Sequence, residues 1–388
     1  MGKAKHKRKH FHSRKGAVFV ILVITMITQS SASSLPFTKM FAFGDSYTDT
    51  GNTGPSNVPS VFDYASRLPY GMTFFHRPTN RYSDGRLVID FVASSLSLHY
   101  LTPYRLLKRG VVSSSGVNFA VAGSTAIEYE FFVKQNLSFF DRTRESLGTQ
   151  LTWFLEYAKA QGCEQGRDRG SKCLNLFDNA LFWVGEIGAN DYAYTLASAI
   201  PSTVVQDLAI KRTTVFLEVL LDKYAKYVIV QGLPPTGCLP LTMTLAPSDD
   251  RDDLHCVKTA NQLSQSHNAI LRDKITALRK GHNHTVVLYA DYWGSYTSVM
   301  KNPVKYGFVE PFKACCGTGG GPYNYIPFEV CGSPSAGVCA NPSKYVNWDG
   351  VHLTEAMYKV MADSFLHRNY THPSFDYLLM RRKNHHHN

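Results

Sequence analysis

Beyond its first 34 residues this 388-residue sequence has no apolar run long enough for a transmembrane helix, no internal repeat and no low-complexity linker. The first absence leaves no later span for a bilayer, which asks for about 20 consecutive apolar residues. The other two leave nothing to divide the body, although length alone would allow roughly two or three domains. No C-x-x-C pair and no flanking histidine pair has zinc spacing, so no metal site is expected. The glycine-rich run from Gly317 to Gly321 is not followed by Gly-Lys-Ser/Thr, which sets aside a phosphate-binding loop. With 44% hydrophobic and 18% charged residues, the composition is that of a globular chain with a real core.

A basic surface is missing too, although the formal net charge is +11. Lys3, Lys5, Lys7, Arg8, Lys9, Arg14 and Lys15 crowd the first 34 residues, where no acid stands. The remaining 34 basic residues face 30 acidic ones, and Arg381, Arg382 and Lys383 sit together near the end. The body is nearly neutral, so nucleic acid is not an expected partner.

The basic leader runs into an apolar stretch from Ala17 to Ile27, then small residues Ser30 to Ser34. That is the layout of a secretory signal over 1–34; it is short for a bilayer span, and stable membrane insertion is not expected. An uncleaved signal-anchor is the alternative suggested by its long charged region. The eight cysteines, Cys163, Cys173, Cys238, Cys256, Cys315, Cys316, Cys331 and Cys339, are an even set that favours disulfides in an oxidising compartment. Sequons at Asn136, Asn283 and Asn369 fit the same picture. The expected location is extracellular, with Golgi lumen or vacuole as the alternative.

The body alternates short apolar runs with amphipathic stretches. Phe41–Phe43, Val117–Val121, Leu181–Val184, Tyr227–Val230 and Val286–Tyr289 each have the length of a buried strand, and most end near a glycine. Helical periodicity covers Ser202 to Lys223, about Asp253 to Lys280, and a segment around Met357 to Phe365. Alternation of this kind predicts an α/β fold with a parallel sheet covered on both faces. Chemistry in such sheets gathers at the carboxyl ends of the strands, which places Ser46, Gly123 and Gly188–Asp191 on one rim.

Ser46 follows the first strand at Phe43-Gly44-Asp45-Ser46, where a strand-to-helix turn would lift its hydroxyl and bring helix N–H donors to an oxyanion. Capping a helix would explain the same serine. Asp349 and His352 share one turn ahead of the last periodic helix, so the carboxylate can fix the imidazole tautomer and the imidazole can take a serine proton. A capping aspartate and a surface histidine would explain them separately. Gly123 offers a closely approachable N–H and Asn190 a side-chain amide, although both residue types also serve ordinary turns.

Four blocks stand in order: Phe43-Gly-Asp-Ser46, Asn118-Phe-Ala-Val-Ala-Gly123, Gly188-Ala-Asn190-Asp191 and Asp349-Gly-Val-His352. Together they make the chain resemble the plant branch of the GDSL esterase/lipase family, within the SGNH hydrolases, which implies apoplast or cell wall as the extracellular location. Leu68–Arg86 and Ala314–Asn324 carry further stretches typical of that branch, and the resemblance spans residues 37–368. It implies a flavodoxin-like three-layer α/β/α sandwich with a parallel five-stranded sheet. It also implies Ser46 as nucleophile, His352 as base, Asp349 as its orienter, and an oxyanion hole of Ser46 N–H, Gly123 N–H and the Asn190 amide. Tyr47 stands where the family name has leucine, which reads as a change beside the substrate.

The expected layout is a signal at 1–34, one hydrolase domain at 35–370 and a flexible basic tail at 371–388. The expected reaction is two-step hydrolysis of a small-molecule or glycan ester with no metal or organic cofactor. Short-acyl, O-acetyl-like esters of sugars, cell-wall polysaccharide or specialised metabolites lead among substrates. Rivals are an acyltransferase or lipase with the same triad, and an inactive secreted carbohydrate-binding protein. His267 reads as a structural histidine and His385–His387 carries no assigned role. Tyr70, Phe74 and Phe75 are candidates to line an acyl or sugar pocket. Cys315 and Cys316 are expected to tie the glycine-rich loop to partners such as Cys331 or Cys339.

Overall fold

The computed structural model describes residue 2 and residues 36–54, 61–137, 143–163, 171–327 and 329–384. Apart from residue 2, these lie in one compact unit, Leu35–Asn388. The rest of the leader, the His385–His387 tract and Ser138 of the first sequon lie outside the described residues.

Five apolar runs become the five central strands of one sheet. Its members are β1 (Lys39–Phe43), β2 (Thr102–Pro103), β3 (Gly116–Asn118), β4 (Ala180–Val184), β5 (Tyr227–Gln231) and β6 (Val286–Ala290). Two small ladders follow: β7 (Glu310–Ala314) pairs with β10 (Tyr345–Asn347), and β8 (Cys316–Gly317) with β9 (Gly337–Val338). β11 (Thr371–His372) returns to the large sheet, whose order is β11-β6-β5-β4-β1-β3-β2. All its pairings are parallel except that of β11 with β6. The five-stranded parallel centre is thus as the resemblance implies, widened by a two-residue strand at each edge.

The three layers follow from the period-two alternation of strand side chains. Met40, Ala42, Leu181, Trp183, Tyr227, Ile229, Leu288 and Ala290 face a core closed by helices Val88–Ser95, Tyr292–Lys301, Glu355–His367 and Phe375–Asn384. Phe41, Phe43, Phe182, Val184, Val228, Val230, Val287 and Tyr289 face a second core under helices Leu147–Ala160, Ser171–Phe177, Ser202–Lys223 and Lys258–Gly281. Of the doublets on Ser202–Lys223, Val205 and Phe216 are buried while Val204 and Val215 are exposed, so one member of each lies on the inner stripe. The helix expected from about Asp253 begins at Lys258, because Asp252 accepts the N–H groups of Leu254 and Cys256 and holds that stretch in a turn.

Four disulfides join Cys163–Cys173, Cys238–Cys256, Cys315–Cys339 and Cys316–Cys331. The last two tie the glycine-rich loop, as expected, and the Cys315 and Cys316 N–H groups donate to the carbonyls of Asn347 and Trp348, at 3.0 and 2.7 Å.

The stretch expected to be a flexible tail is folded as far as Asn384. β11 extends the sheet, and helix Phe375–Asn384 buries Phe375 and Leu378 in the first core. Its basic face misled the reading: Arg382 lays its stem against the body and is 4% exposed, as long cationic side chains do. Leu378→Ala is expected to cost about 2–4 kcal/mol in urea or thermal unfolding. A free tail would leave stability unchanged.

Candidate active site

The chain leaves β1 at Phe43 and turns at once. Gly44 has φ +136°, and a side chain there would meet the backbone of Gly185 and Glu186, so two strand ends run in close contact. Thr48 and Asp49 N–H groups donate to the Asp45 carbonyl at 3.0 and 2.9 Å, closing a single turn. Ser46 therefore sits on an isolated turn and not at the start of a helix. Asn118 braces this turn by donating to the Thr48 carbonyl at 2.6 Å, and Asp49 accepts from Gly51, Asn52, Thr53 and Ala122 N–H groups.

On the other side, β10 delivers the segment Trp348 to Leu353. Asp349 Oδ1 accepts the N–H groups of Val351 and His352, each at 2.7 Å, which folds the turn. The same carboxylate meets His352 Nδ1 at 3.0 and 2.9 Å, and His352 Nε2 lies 2.8 Å from Ser46 Oγ. Three residues separated by as many as 306 positions thus form one chain of contacts. Ser46, Asp349 and His352 are 5%, 7% and 7% exposed.

Burial alone would push the Asp349 carboxyl upward, but the His352 charge and hydrogen bonds from His352 and Val351 hold it below the ordinary value. A carboxylate that stays ionised fixes the imidazole with Nδ1–H toward it, leaving Nε2 to accept the serine proton. Tyr70 adds a contact that sequence reasoning assigned elsewhere: its hydroxyl donates to Asp349 Oδ2 at 2.8 Å. Burial and the Asp349 charge raise the Tyr70 phenol well above its usual value, so it keeps that proton. Tyr70 is consequently part of the wall behind the carboxylate and does not line an open pocket. Arg86 stacks 3.8 Å over the Phe74 ring and Arg81 4.7 Å over Phe75, and Phe74 itself is 38% exposed. No sequence signal foretold the Tyr70 contact, since 279 residues separate donor and acceptor.

Tyr47 is 4% exposed and turns into the core, its ring 5.7 Å from that of His352 and its hydroxyl donating to the Val351 carbonyl at 2.6 Å. It buttresses the histidine turn. The Tyr82 ring closes the other approach, with centroid 4.7 Å from the imidazole.

The expected oxyanion donors differ in what they already hold. The N–H groups of Ser46 and Gly123 have no acceptor among the described residues, and Gly123 takes φ +80°, a conformation that favours glycine. The Asn190 amide is occupied: Nδ2 donates to Asp45 Oδ2 at 2.9 Å and to the Ser124 carbonyl at 3.0 Å. Asp191 anchors the facing loop by accepting Ala126 and Ile127 N–H groups, each at 2.9 Å. Below them His267 is buried, Nδ1 2.8 Å from the Tyr192 hydroxyl, and burial lowers its pKa to about 3. It is structural, as expected. Asn136, Asn283 and Asn369 are all exposed.

A parallel sheet between two helical layers, with hydroxyl, imidazole and carboxylate joined at its carboxyl rim, defines the class of three-layer SGNH-type hydrolases. Residues 40–365 match the family described as GDSL-like Lipase/Acylhydrolase, and the chain belongs to the plant GDSL esterase/lipase branch of it. It is 51% identical over 375 residues to GDSL esterase/lipase At3g48460 of Arabidopsis thaliana, covering 95% of this chain and 96% of that one. GDSL esterase/lipase At1g28600 of the same plant is 38% identical over 373 residues, with 94% and 92% covered. Among solved structures, a catalytic mutant of Axe2, an acetylxylan esterase from Geobacillus stearothermophilus, aligns over 85% of this chain and 93% of its own at 12% identity, with a TM-score of 0.37. That likeness is too loose to bear on substrate. By family, the chain is a carboxylic ester hydrolase.

Two outcomes follow from this geometry. Tyr70→Phe is expected to lower stability by about 1 kcal/mol and kcat several-fold with KM little changed, because Asp349 loses one of its donors. His267 carries a sign that can be worked out: its folded pKa of about 3 lies below the ordinary 6.5. The unfolded chain therefore takes up the proton first. The stability this neutral histidine contributes is whole above about pH 6.5 and falls away by up to about 4 kcal/mol as pH drops toward 3. His267→Asn should flatten that part of a stability-versus-pH curve.

Proposed function

We propose that Ser46 is the nucleophile of this ester hydrolase, with His352 as its base and Asp349 as the orienter of His352. The observation that carries this is the 2.8 Å approach of His352 Nε2 to Ser46 Oγ, with Nδ1 held against Asp349. Ser46 Oγ attacks the acyl carbonyl carbon as its proton passes to Nε2. The tetrahedral oxyanion is met by the N–H groups of Ser46 and Gly123 and by the Asn190 amide, which exchanges its bond to the Ser124 carbonyl for the oxyanion while keeping the one to Asp45. Collapse expels the alcohol, which takes the proton from His352 and leaves an acyl-enzyme. Water then repeats the sequence, releasing the acid and restoring the serine. Every proton moves between these side chains, substrate and water, so no metal or organic cofactor enters the scheme.

The substrate class we propose is a short-acyl ester, O-acetyl in type, on a sugar, a cell-wall polysaccharide or a specialised metabolite. The support is room: the nucleophile is only 5% exposed and the Tyr82 ring lies 4.7 Å from the imidazole. A small acyl group suits so narrow an entrance. We further propose that the protein acts outside the cell. Support comes from the leader at 1–34, from four disulfides, and from sequon asparagines 136, 283 and 369, all at the surface. Among the described residues no helix is long and apolar enough to cross a membrane.

A fluorophosphonate probe should form an adduct on Ser46 of the folded protein and none on Ser46→Ala; failure to label Ser46 would remove the nucleophile assignment. Asn190→Ala should lose about 10²- to 10³-fold in kcat, the usual effect of deleting an oxyanion donor. On a series of p-nitrophenyl esters, acetate should be released faster than octanoate, and a preference for the long chain would overturn the substrate class. An alcohol acceptor that outcompetes water for the acyl-enzyme would mark the transferase rival instead.

A further inference from the structure

Glu186 lies two residues beyond β4 and is 0% exposed. A carboxyl group there is costly unless something compensates it. No N–H or O–H group donates to either of its oxygens at ordinary length and angle. What it faces is Asp45, the residue before Ser46: the two carboxyls act on one another by charge and through a side-chain contact. Asp45 is 1% exposed, and both its oxygens are in use. Oδ1 accepts the Tyr47 N–H at 3.0 Å and Oδ2 accepts the Asn190 amide at 2.9 Å. A line of contact therefore runs from Glu186 through Asp45 to the donor that the acyl-transfer scheme needs. Sequence blocks single out Asp45 and Asn190 but give Glu186 no part.

We propose that Glu186 and Asp45 form a carboxyl pair holding one proton between them, and that this pair positions the Asn190 amide at the oxyanion site. The inference rests on the assignment of Ser46 and Asn190 above. Glu186 and Asp45 are positioning residues, since neither touches the reacting atoms.

The charge state follows from the surroundings. Burial drives both groups toward neutrality. For Asp45 the contact with Glu186, the Tyr47 N–H and the His352 charge work the other way, leaving it raised to about 6 against a further push from Asp49. Glu186 is pushed well above its ordinary value by burial, then by the charges of Asp45 and Asp191, with a hydrogen bond at the Ala189 backbone opposing them. The phenols of Tyr47, Tyr292 and Tyr358 complete the enclosure, all raised by burial and so neutral. Near neutral pH the proton sits on Glu186 and the negative charge on Asp45. An anionic acceptor grips the Asn190 amide more firmly than a neutral one. As pH falls through about 6, Asp45 gains a proton and that grip loosens.

Glu186→Leu removes the donor that helps Asp45 stay ionised while keeping an apolar group of similar size. The acid limb of the kcat profile should move up by about one pH unit, and kcat near pH 6.5 should fall about threefold with KM nearly constant, the pattern of a misplaced catalytic group. Glu186→Gln keeps a donor of the same shape and should return most of the loss. A folded Glu186→Leu protein with the acid limb of the wild type overturns the proposal, because filling space was then all that Glu186 did. Should that variant not fold, Asp45→Asn serves: kcat should fall about tenfold or more and the acid limb should lose its steeper component. An Asp45→Asn profile matching the wild type is equally fatal. Wild-type labelling at Ser46 in the same preparation separates the two failures, since its absence strikes the nucleophile assignment and not the pair.

Discussion

One contact governs the rest of this architecture: a hydroxyl at position 46 meeting an imidazole at position 352, 2.8 Å apart. The two partners arrive from opposite ends of the folded unit, so neither is correctly placed unless the sheet between them is complete. β1 delivers Ser46 at its carboxyl end, and the β7–β10 ladder carries the histidine turn to the same rim. The parallel sheet is in this sense the instrument of alignment, with two apolar cores fixing its strands from above and below.

Around that contact the fold spends buried carboxylates as clamps for irregular backbone. Asp49 gathers N–H groups from its own loop and from Ala122, and Asp191 gathers those of Ala126 and Ile127. Asp84 accepts the Glu355 N–H at 2.7 Å while Glu355 pairs with Arg86, linking the loop after Tyr82 to the helix that follows His352. Each clamp joins segments far apart in sequence. Buried acids satisfied by backbone donors stabilise a single loop geometry, which a rim assembled from four separate crossings requires. Glu186 stands apart in this group as an acid that meets another acid.

How much of this was legible beforehand depended on the range of the interaction. Asp349 and His352 share a turn, and Ser46 follows a strand in a distinctive block, so local spacing was enough to single them out. Strand positions were legible because alternation and glycine stops are local. Tyr70 was misassigned and Glu186 passed over because their partners lie 279 and 141 residues away, distances across which composition and periodicity carry no information. Tyr47 occupies a family position that reads as lying beside the substrate, and its ring is large enough to reach Val351 as it turns inward. The last helix escaped notice because its cluster of Arg381, Arg382 and Lys383 outweighed the turn-spaced pair Phe375 and Leu378. That pair, with Ser374 just ahead, was the available signal.

The cystines at 315–339 and 316–331 lie directly under the backbone that presents Asp349 and His352, because Cys315 and Cys316 donate to the carbonyls just before that turn. Assembly of the histidine side is therefore coupled to thiol oxidation as well as to hydrophobic collapse. Whatever loosens those two crosslinks acts first on the imidazole and only afterwards on the hydroxyl it serves.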